Sequence, residues 1–197
     1  AIGDRYMRIG FFPNMGKSTI MAVLKMAAHI CREEQIEVYL PDDLERPDTY
    51  KVLQIPKENV LPRPEIFKHI DVAFSFGGDG PIIHLARQIF SYNIPVCGIN
   101  LGELGFLNQI EVHQLQSHIK RIVQGDYTIE KRGHLYAYVD REDGTKDELV
   151  PIINEIVITR SEPEKMARIN LDVNGQHTQM YPSDGLIISS ATGSTGY

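Results

Sequence analysis

The sequence predicts an α/β N-terminal domain on a mostly parallel, twisted sheet, followed by an all-β C-terminal domain. Three observations carry this expectation. Up to Gly125, short apolar runs alternate with segments whose apolar residues recur at helical spacing, the rhythm of βαβ units. Beyond Gly125 the rhythm changes, and period-two alternation takes over. Asp143-Gly144 and Asn174-Gly175 then fall among strand-like runs, where they favour tight hairpin turns. The expected domains are 1–125 and 126–197.

Each element follows from its own pattern. Arg8–Phe12 reads as a short strand. Ser18–Glu33 carries Ile20, Val23, Leu24, Ala27, Ala28 and Ile30 on one helical face. Ile36–Leu40 is a second strand. Pro56, Pro62 and Pro64 mark a long connection, expected to be neither regular helix nor central strand. Val72–Phe76 is a buried apolar strand that runs directly into Gly77-Gly78-Asp79-Gly80. Pro81 suits the first turn of a helix, where its missing N–H costs nothing. That helix would extend to about Phe90, with Ile82, Ile83, Leu85, Ala86 and Ile89 facing inward. Val96–Asn100 follows as a strand and Val112–Gln124 as a helix. In the second half Leu135–Asp140, Ile152–Arg160, Ile169–Val173 and Leu186–Ser190 read as strands.

A chain of 197 residues buries enough surface to fold without disulfides or a structural metal. Its net charge of −6 argues against a nucleic-acid binder, whose footprint is normally basic. Cys31 and Cys97, each in an apolar setting, read as buried thiols of a reducing cytosol. No apolar run reaches the ~18 residues of a membrane span, and Ala1–Gly10 lacks the apolar stretch of a signal peptide. The expectation is a cytoplasmic protein that does not meet a membrane.

The chemistry concentrates in a few segments. In Gly77-Gly78-Asp79-Gly80 a strand ends, three glycines surround one carboxylate, and a helix begins. Glycines let the backbone turn sharply and approach a ligand, and a helix N-terminus offers free N–H groups to a phosphate. Asp79 there can take a proton from a hydroxyl or hold a metal ion; the structural alternative is a capping aspartate. Gly16-Lys17-Ser18-Thr19 imitates the end of a phosphate-binding P-loop, but the glycine required five residues before Gly16 is Phe11; a capped helix start is favoured. Gly98-Ile99-Asn100-Leu101-Gly102-Glu103-Leu104-Gly105-Phe106-Leu107 follows another strand. Asn100 could line a cleft beside Asp79, or Leu104, Phe106 and Leu107 could simply plug the core. Asn154-Glu155 opens a strand, and its polar pair suits a hydroxyl-rich ligand. From Asp184 to Tyr197 a strand read as buried runs into small hydroxyl and glycine residues that can bond sugars or phosphates without bulk.

In this order the Gly-Gly-Asp-Gly loop, the Gly-Ile-Asn…Leu-Gly-Phe-Leu segment, Asn154-Glu155 and the Asp184-Gly185…Gly193-Ser194-Thr195…Tyr197 block resemble the NAD kinase family. Diacylglycerol-type lipid kinases and phosphofructokinases share a loop similar to the first; the last two segments are far more specific. The resemblance implies phosphoryl transfer from ATP, or polyphosphate, to the 2′-hydroxyl of the adenosine ribose of NAD, with a divalent metal, normally magnesium. It implies Asp79 as general base, with Gly77, Gly78 and Gly80 at the phosphates. Asn154 and Glu155 would bind ribose hydroxyls, and Asp184 and Thr195 would help hold the dinucleotide. Thr192, Gly196 and Tyr197 join them as binding positions, with His84 and Arg168 as further polar contacts.

Some positions depart from the family pattern. Pro81 stands where threonine is expected, Gly196 where alanine is commoner, and Glu103 and Pro182 where basic residues are usual. Family members also continue past the block ending at Tyr197, so the chain is expected to be C-terminally truncated. An unfinished β domain would leave strand edges that invite pairing, hence a homo-oligomer. Two other readings stay open: a lipid or small-molecule kinase with the same glycine-aspartate loop, and a dinucleotide-binding module without turnover.

Overall fold

The computed structural model describes residues 6–102 and 105–195. Two compact units emerge, one reaching to Glu130 and one from Lys131 onward.

The first unit holds six strands in the order β3-β2-β1-β4-β5-β6. These are β1 (Arg8–Pro13), β2 (Glu37–Pro41), β3 (Val60–Leu61), β4 (Val72–Gly77), β5 (Val96–Asn100) and β6 (Ile110–Glu111). Every pairing among them is parallel. The helices are α1 (Ile20–Glu33), α2 (Thr49–Leu53), α3 (Arg63–His69), α4 (Asp79–Gln88) and α5 (Leu115–Val123). Alternation along β4 divides the interior. Val72, Phe74 and Phe76 face one core with Val23, Leu24 and Ala27 of α1 and Leu115 and Ile119 of α5. Ala73 faces the other, with Ile66 and Phe67 of α3 and Leu85 of α4. Both faces of the sheet are therefore covered, which is why its strands read as nearly continuous apolar runs.

This strand order has one consequence for function. From β1 the chain builds outward through β2 and β3, then returns to place β4 on the other side of β1. Connections leave β1 and β4 in opposite directions, so a crevice opens at their carboxyl ends. Those ends carry Pro13-Asn14 and Gly77-Gly78-Asp79, and the Asn14 N–H donates to the Phe76 carbonyl at 2.9 Å across the gap.

The connection marked by three prolines is more regular than expected. It contains α2, the edge strand β3 and α3. Pro64 lies in the first turn of α3, where proline is tolerated; the expectation that no helix could form there is corrected. The helix read over Val112–Gln124 begins as a 3₁₀ turn, Val112–Gln114, before α5. In α4, Ile82 and Leu85 are buried, as is Ile89 just beyond it.

The second unit is antiparallel throughout its described pairings. β7 (Leu135–Asp140) pairs with β8 (Lys146–Ile152), β10 (Ala167–Val173) with β11 (Gln176–Ser183), and β12 (Gly185–Ser189) with β9 (Glu155–Thr159). Asn174 and Gly175 both adopt positive φ, 53° and 77°, as a two-residue hairpin turn of mirror-image type requires. The single strand expected over Ile152–Arg160 is broken after Ile152, where the chain leaves β8 and re-enters at Glu155. The strand read as buried near Leu186 is open instead: Ile187 and Ile188 are 47% and 42% exposed.

Candidate active site

Gly77 ends β4 opposite Asn100 of β5. Gly78 is extended and caps α4, and Asp79 is the first helical residue. Asp79 makes no capping bond to its own helix, so the capping alternative fails. Its carboxylate turns to the chain that follows β5. The Phe106 N–H donates to Oδ2 at 2.8 Å, the Leu107 N–H to Oδ1 at 3.1 Å, and the Asn108 side-chain amide to Oδ1 at 2.9 Å.

Two glycines make this arrangement possible. A Cβ on Gly105 would collide with the Asp79 carboxylate, its three nearest atoms being Oδ1, Cγ and Oδ2 of that one side chain. A Cβ on Gly77 would come within 2.8 Å of Pro81 Cγ, so Gly77 admits the proline ring that replaces the expected threonine. Gly78 and Gly80 differ, because a Cβ on either would meet nothing within 4 Å.

The remaining first-unit candidates lie around this loop. His84 is exposed on α4, its Nε2 2.7 Å from the Gln88 side-chain amide. With Asn14, Arg63, Gly80 and Pro81 it lines a hollow of about 390 Å³. Arg63 escaped the sequence reading because it lies in the proline-marked connection; it pairs with Asp43 at 2.8 Å. Asn100 is buried, and its Oδ1 accepts the Gly102 N–H at 3.1 Å. It also lines a separate groove with Thr19, Leu101, Gly102, Glu111 and His113.

Leu107 is buried while Phe106 is 83% exposed, so only part of this loop plugs the core; Leu104 lies outside the described residues. The Gly16–Thr19 turn is stapled by Asn14, whose Oδ1 accepts the Gly16 N–H at 3.1 Å. Thr19 makes no side-chain cap bond, which corrects the expected capped start of α1.

In the second unit a hydroxyl organises the polar loop. The Ser190 N–H donates to the Asn154 carbonyl at 2.8 Å. Ser190 Oγ donates to the Ile153 carbonyl and accepts the Gly193 N–H at 3.2 Å. A Cβ on Gly193 would strike the backbone of Asn154, so the loop lies directly on Asn154-Glu155. Glu155 sits opposite Ser189 in the ladder, and Thr192 Oγ1 accepts a bond from Arg132 at 3.2 Å. Thr195 is exposed at the end of the following 3₁₀ turn.

Other second-unit positions stand apart from that cluster. Asp184 precedes β12, whose far end carries the loop, so about 17 Å of strand separates them. It is exposed and pairs with Arg160 at 3.1 Å. Arg168 is exposed on β10 opposite Pro182. Gly196 and Tyr197 lie outside the described residues.

Cys31 and Cys97 are free thiols, Cys31 buried as expected and Cys97 only half-buried, and the loss of solvent around each pushes it up to about 12. Among the described residues no group of three or more His, Cys, Asp or Glu could hold a metal ion, and no helix is long and apolar enough to cross a membrane.

A doubly wound parallel sheet with a glycine-rich loop and a fixed carboxylate at its switch point, joined to an antiparallel unit bearing a hydroxyl-rich loop, defines a two-unit α/β-plus-β class. Residues 9–127 match the ATP-NAD kinase N-terminal domain and residues 153–197 the ATP-NAD kinase C-terminal domain. The chain belongs to the NAD kinase family. It is 33% identical over 192 residues to an NAD kinase of Natranaerobius thermophilus, covering 96% of this chain and 64% of that protein. With an NAD kinase of Heliobacterium modesticaldum it shares 40% over 139 residues, 69% of this chain and 49% of the relative. The fold matches the crystal structure of yeast NADH kinase complexed with NADH at a TM-score of 0.82 and 16% identity, over 99% of this chain and 60% of that one. The chain thus spans less than two thirds of the length of these relatives.

Proposed function

We propose that this protein is an NAD kinase, which moves a phosphoryl group from ATP, or polyphosphate, to the 2′-hydroxyl of the adenosine ribose of NAD and so makes NADP. The observation that carries this reading is the held Asp79. A carboxylate fixed by three N–H donors at the switch point, beside two glycines whose outer side is open, suits a base set against phosphates. At Gly78 and Gly80 no protein atom demands glycine, but a phosphate chain lying on the loop would.

In the reaction the ribose hydroxyl oxygen attacks the terminal phosphorus of the donor. Asp79 takes the hydroxyl proton, the bond from phosphorus to the leaving oxygen breaks, and ADP (or a shortened polyphosphate) departs. Gly77, Gly78 and Gly80 accommodate the phosphates. Asn154 and Glu155 bind ribose hydroxyls. Thr192, Thr195, Asp184, Gly196 and Tyr197 hold the dinucleotide, with His84 and Arg168 as further polar contacts. Positioning and charge stabilisation supply most of the rate in such transfers.

Among the described residues no cluster of side chains forms a cage for a metal. Magnesium keeps its waters and rides on substrate phosphates; when bound it would neutralise the charge of the moving phosphoryl group. We further place the protein in the cytoplasm as a homo-oligomer. The half-exposed Val157, Ile158, Ile187 and Ile188 of the β9–β12 ladder support self-association, and a monomer by light scattering would refute it.

The test is NADP formation from NAD, ATP and magnesium, with Asp79→Asn as control. Loss of a general base lowers turnover by about 10²–10⁴-fold. Tight NAD binding with no NADP formed would favour a binding module instead.

A further inference from the structure

We propose that Asn108 is a positioning residue, which saturates Oδ1 of Asp79 and leaves Oδ2 as the atom that receives the substrate proton. This rests on the kinase reading, with Asp79 as base.

A carboxylate oxygen accepts two hydrogen bonds through its lone pairs. Oδ1 of Asp79 receives two, from the Leu107 N–H and the Asn108 side chain, whereas Oδ2 receives one, from the Phe106 N–H. The two oxygens are thereby made unequal. The backbone donors bind one oxygen each and leave a second lone pair on both; only the Asn108 amide breaks that symmetry.

The amide is held for this task. Gln109, its neighbour, is clamped to β5 in both directions. Its N–H donates to the Gly98 carbonyl at 3.1 Å, and its Oε1 accepts the Gly98 N–H at 2.9 Å. Gly98 lies close against Asn108, since a Cβ there would sit 3.1 Å from Asn108 Cα and 2.9 Å from its Oδ1. Asn108 Oδ1 is buried and has no partner among the described residues. A buried acceptor without a partner costs stability. Turning the amide over would set its oxygen against the Asp79 carboxylate, which is worse. The side chain is thus kept at a local cost that a small apolar residue would avoid, and its single bond goes to the base.

Asn108→Ala is expected to lower kcat about ten- to a hundredfold, the worth of one hydrogen bond to a charged acceptor, with KM for NAD little changed. Asn108→Asp keeps the shape but replaces the donor by an acceptor. It should be at least as impaired as the alanine variant, whereas a residue that merely fills space would tolerate it. In an Asp79→Asn background, Asn108→Ala should cost little more, because its route to the chemistry is gone.

Wild-type kcat in Asn108→Ala or Asn108→Asp, while Asp79→Asn is inactive, would overturn this inference and leave the kinase reading standing. Full turnover in Asp79→Asn would remove the base itself. A readout free of turnover comes from thermal unfolding of the chain with Asp79→Ala, Asn108→Ala and both. Non-additive losses in Tm are expected, and strict additivity would refute the contact.

Discussion

Replacing Gly105 by alanine should disable Asp79 without touching it. The added methyl would occupy the space of the Asp79 carboxylate, whose Oδ1, Cγ and Oδ2 are the three nearest atoms. That carboxylate cannot swing aside freely, because Phe106, Leu107 and Asn108 hold it. Either the three bonds break or the 105–108 backbone shifts. Overpacking of this kind costs about 1–3 kcal/mol. The bonds themselves run at about 1.5–3 kcal/mol each for a charged acceptor, but water replaces part of that at the exposed Phe106 N–H. A net loss of about 1–3 kcal/mol corresponds to a fall in Tm of roughly 2–12 °C for a chain of this size. The effect on rate is larger, since a displacement near 1 Å costs about a hundredfold.

The assay is steady-state NADP formation beside a thermal melt, for Gly105→Ala alone and in an Asp79→Asn background. The single variant should lose kcat out of proportion to stability, and the double variant should resemble Asp79→Asn alone. Wild-type kcat in Gly105→Ala, or a further hundredfold loss in the double variant, would refute the claim that Gly105 acts by making room for Asp79.

The other predictions follow from the same geometry. Gly193→Ala should push the 190–195 loop off the Asn154 backbone, destabilise the second unit by about 1–3 kcal/mol, and raise KM for NAD more than it lowers kcat. Leu24→Ala, in a fully buried position on α1, should cost about 2–5 kcal/mol in denaturant titration, with the slope unchanged. Cys31 and Cys97, pushed from 9.0 to about 12 by burial, should carry roughly a thousandfold less thiolate at pH 8 than a free cysteine. Alkylation should therefore be slow in the native chain and fast in denaturant; rapid native labelling of the buried Cys31, or of the half-buried Cys97, would refute its raised pKa.

Much of the fold was legible because its causes are local. The apolar run at Val72–Phe76, the helical face from Ile20 to Ile30 and the Asn174-Gly175 turn each carry their signal within a few residues, and each forms as its pattern dictates. The prolines misled because position within an element matters more than identity. Pro64 in the first turn of α3 breaks nothing. Ile187 and Ile188 read as buried because sequence registers hydrophobicity and is blind to what lies over a strand's face.

The glycine-aspartate loop, and with it the family, stood in the linear sequence, because a strand ending in glycines before a helix is a local device. What fixes the aspartate was not there to read. Asp79 is 26 to 29 residues from Gly105, Phe106, Leu107 and Asn108, and nothing in the spacing says that their N–H groups converge on it. That convergence exists because parallel pairing of β4 with β5 brings the ends of two successive strands side by side. Sequence alone named the carboxylate; hydrogen bonds between segments far apart in the chain decided how each of its two oxygens is held.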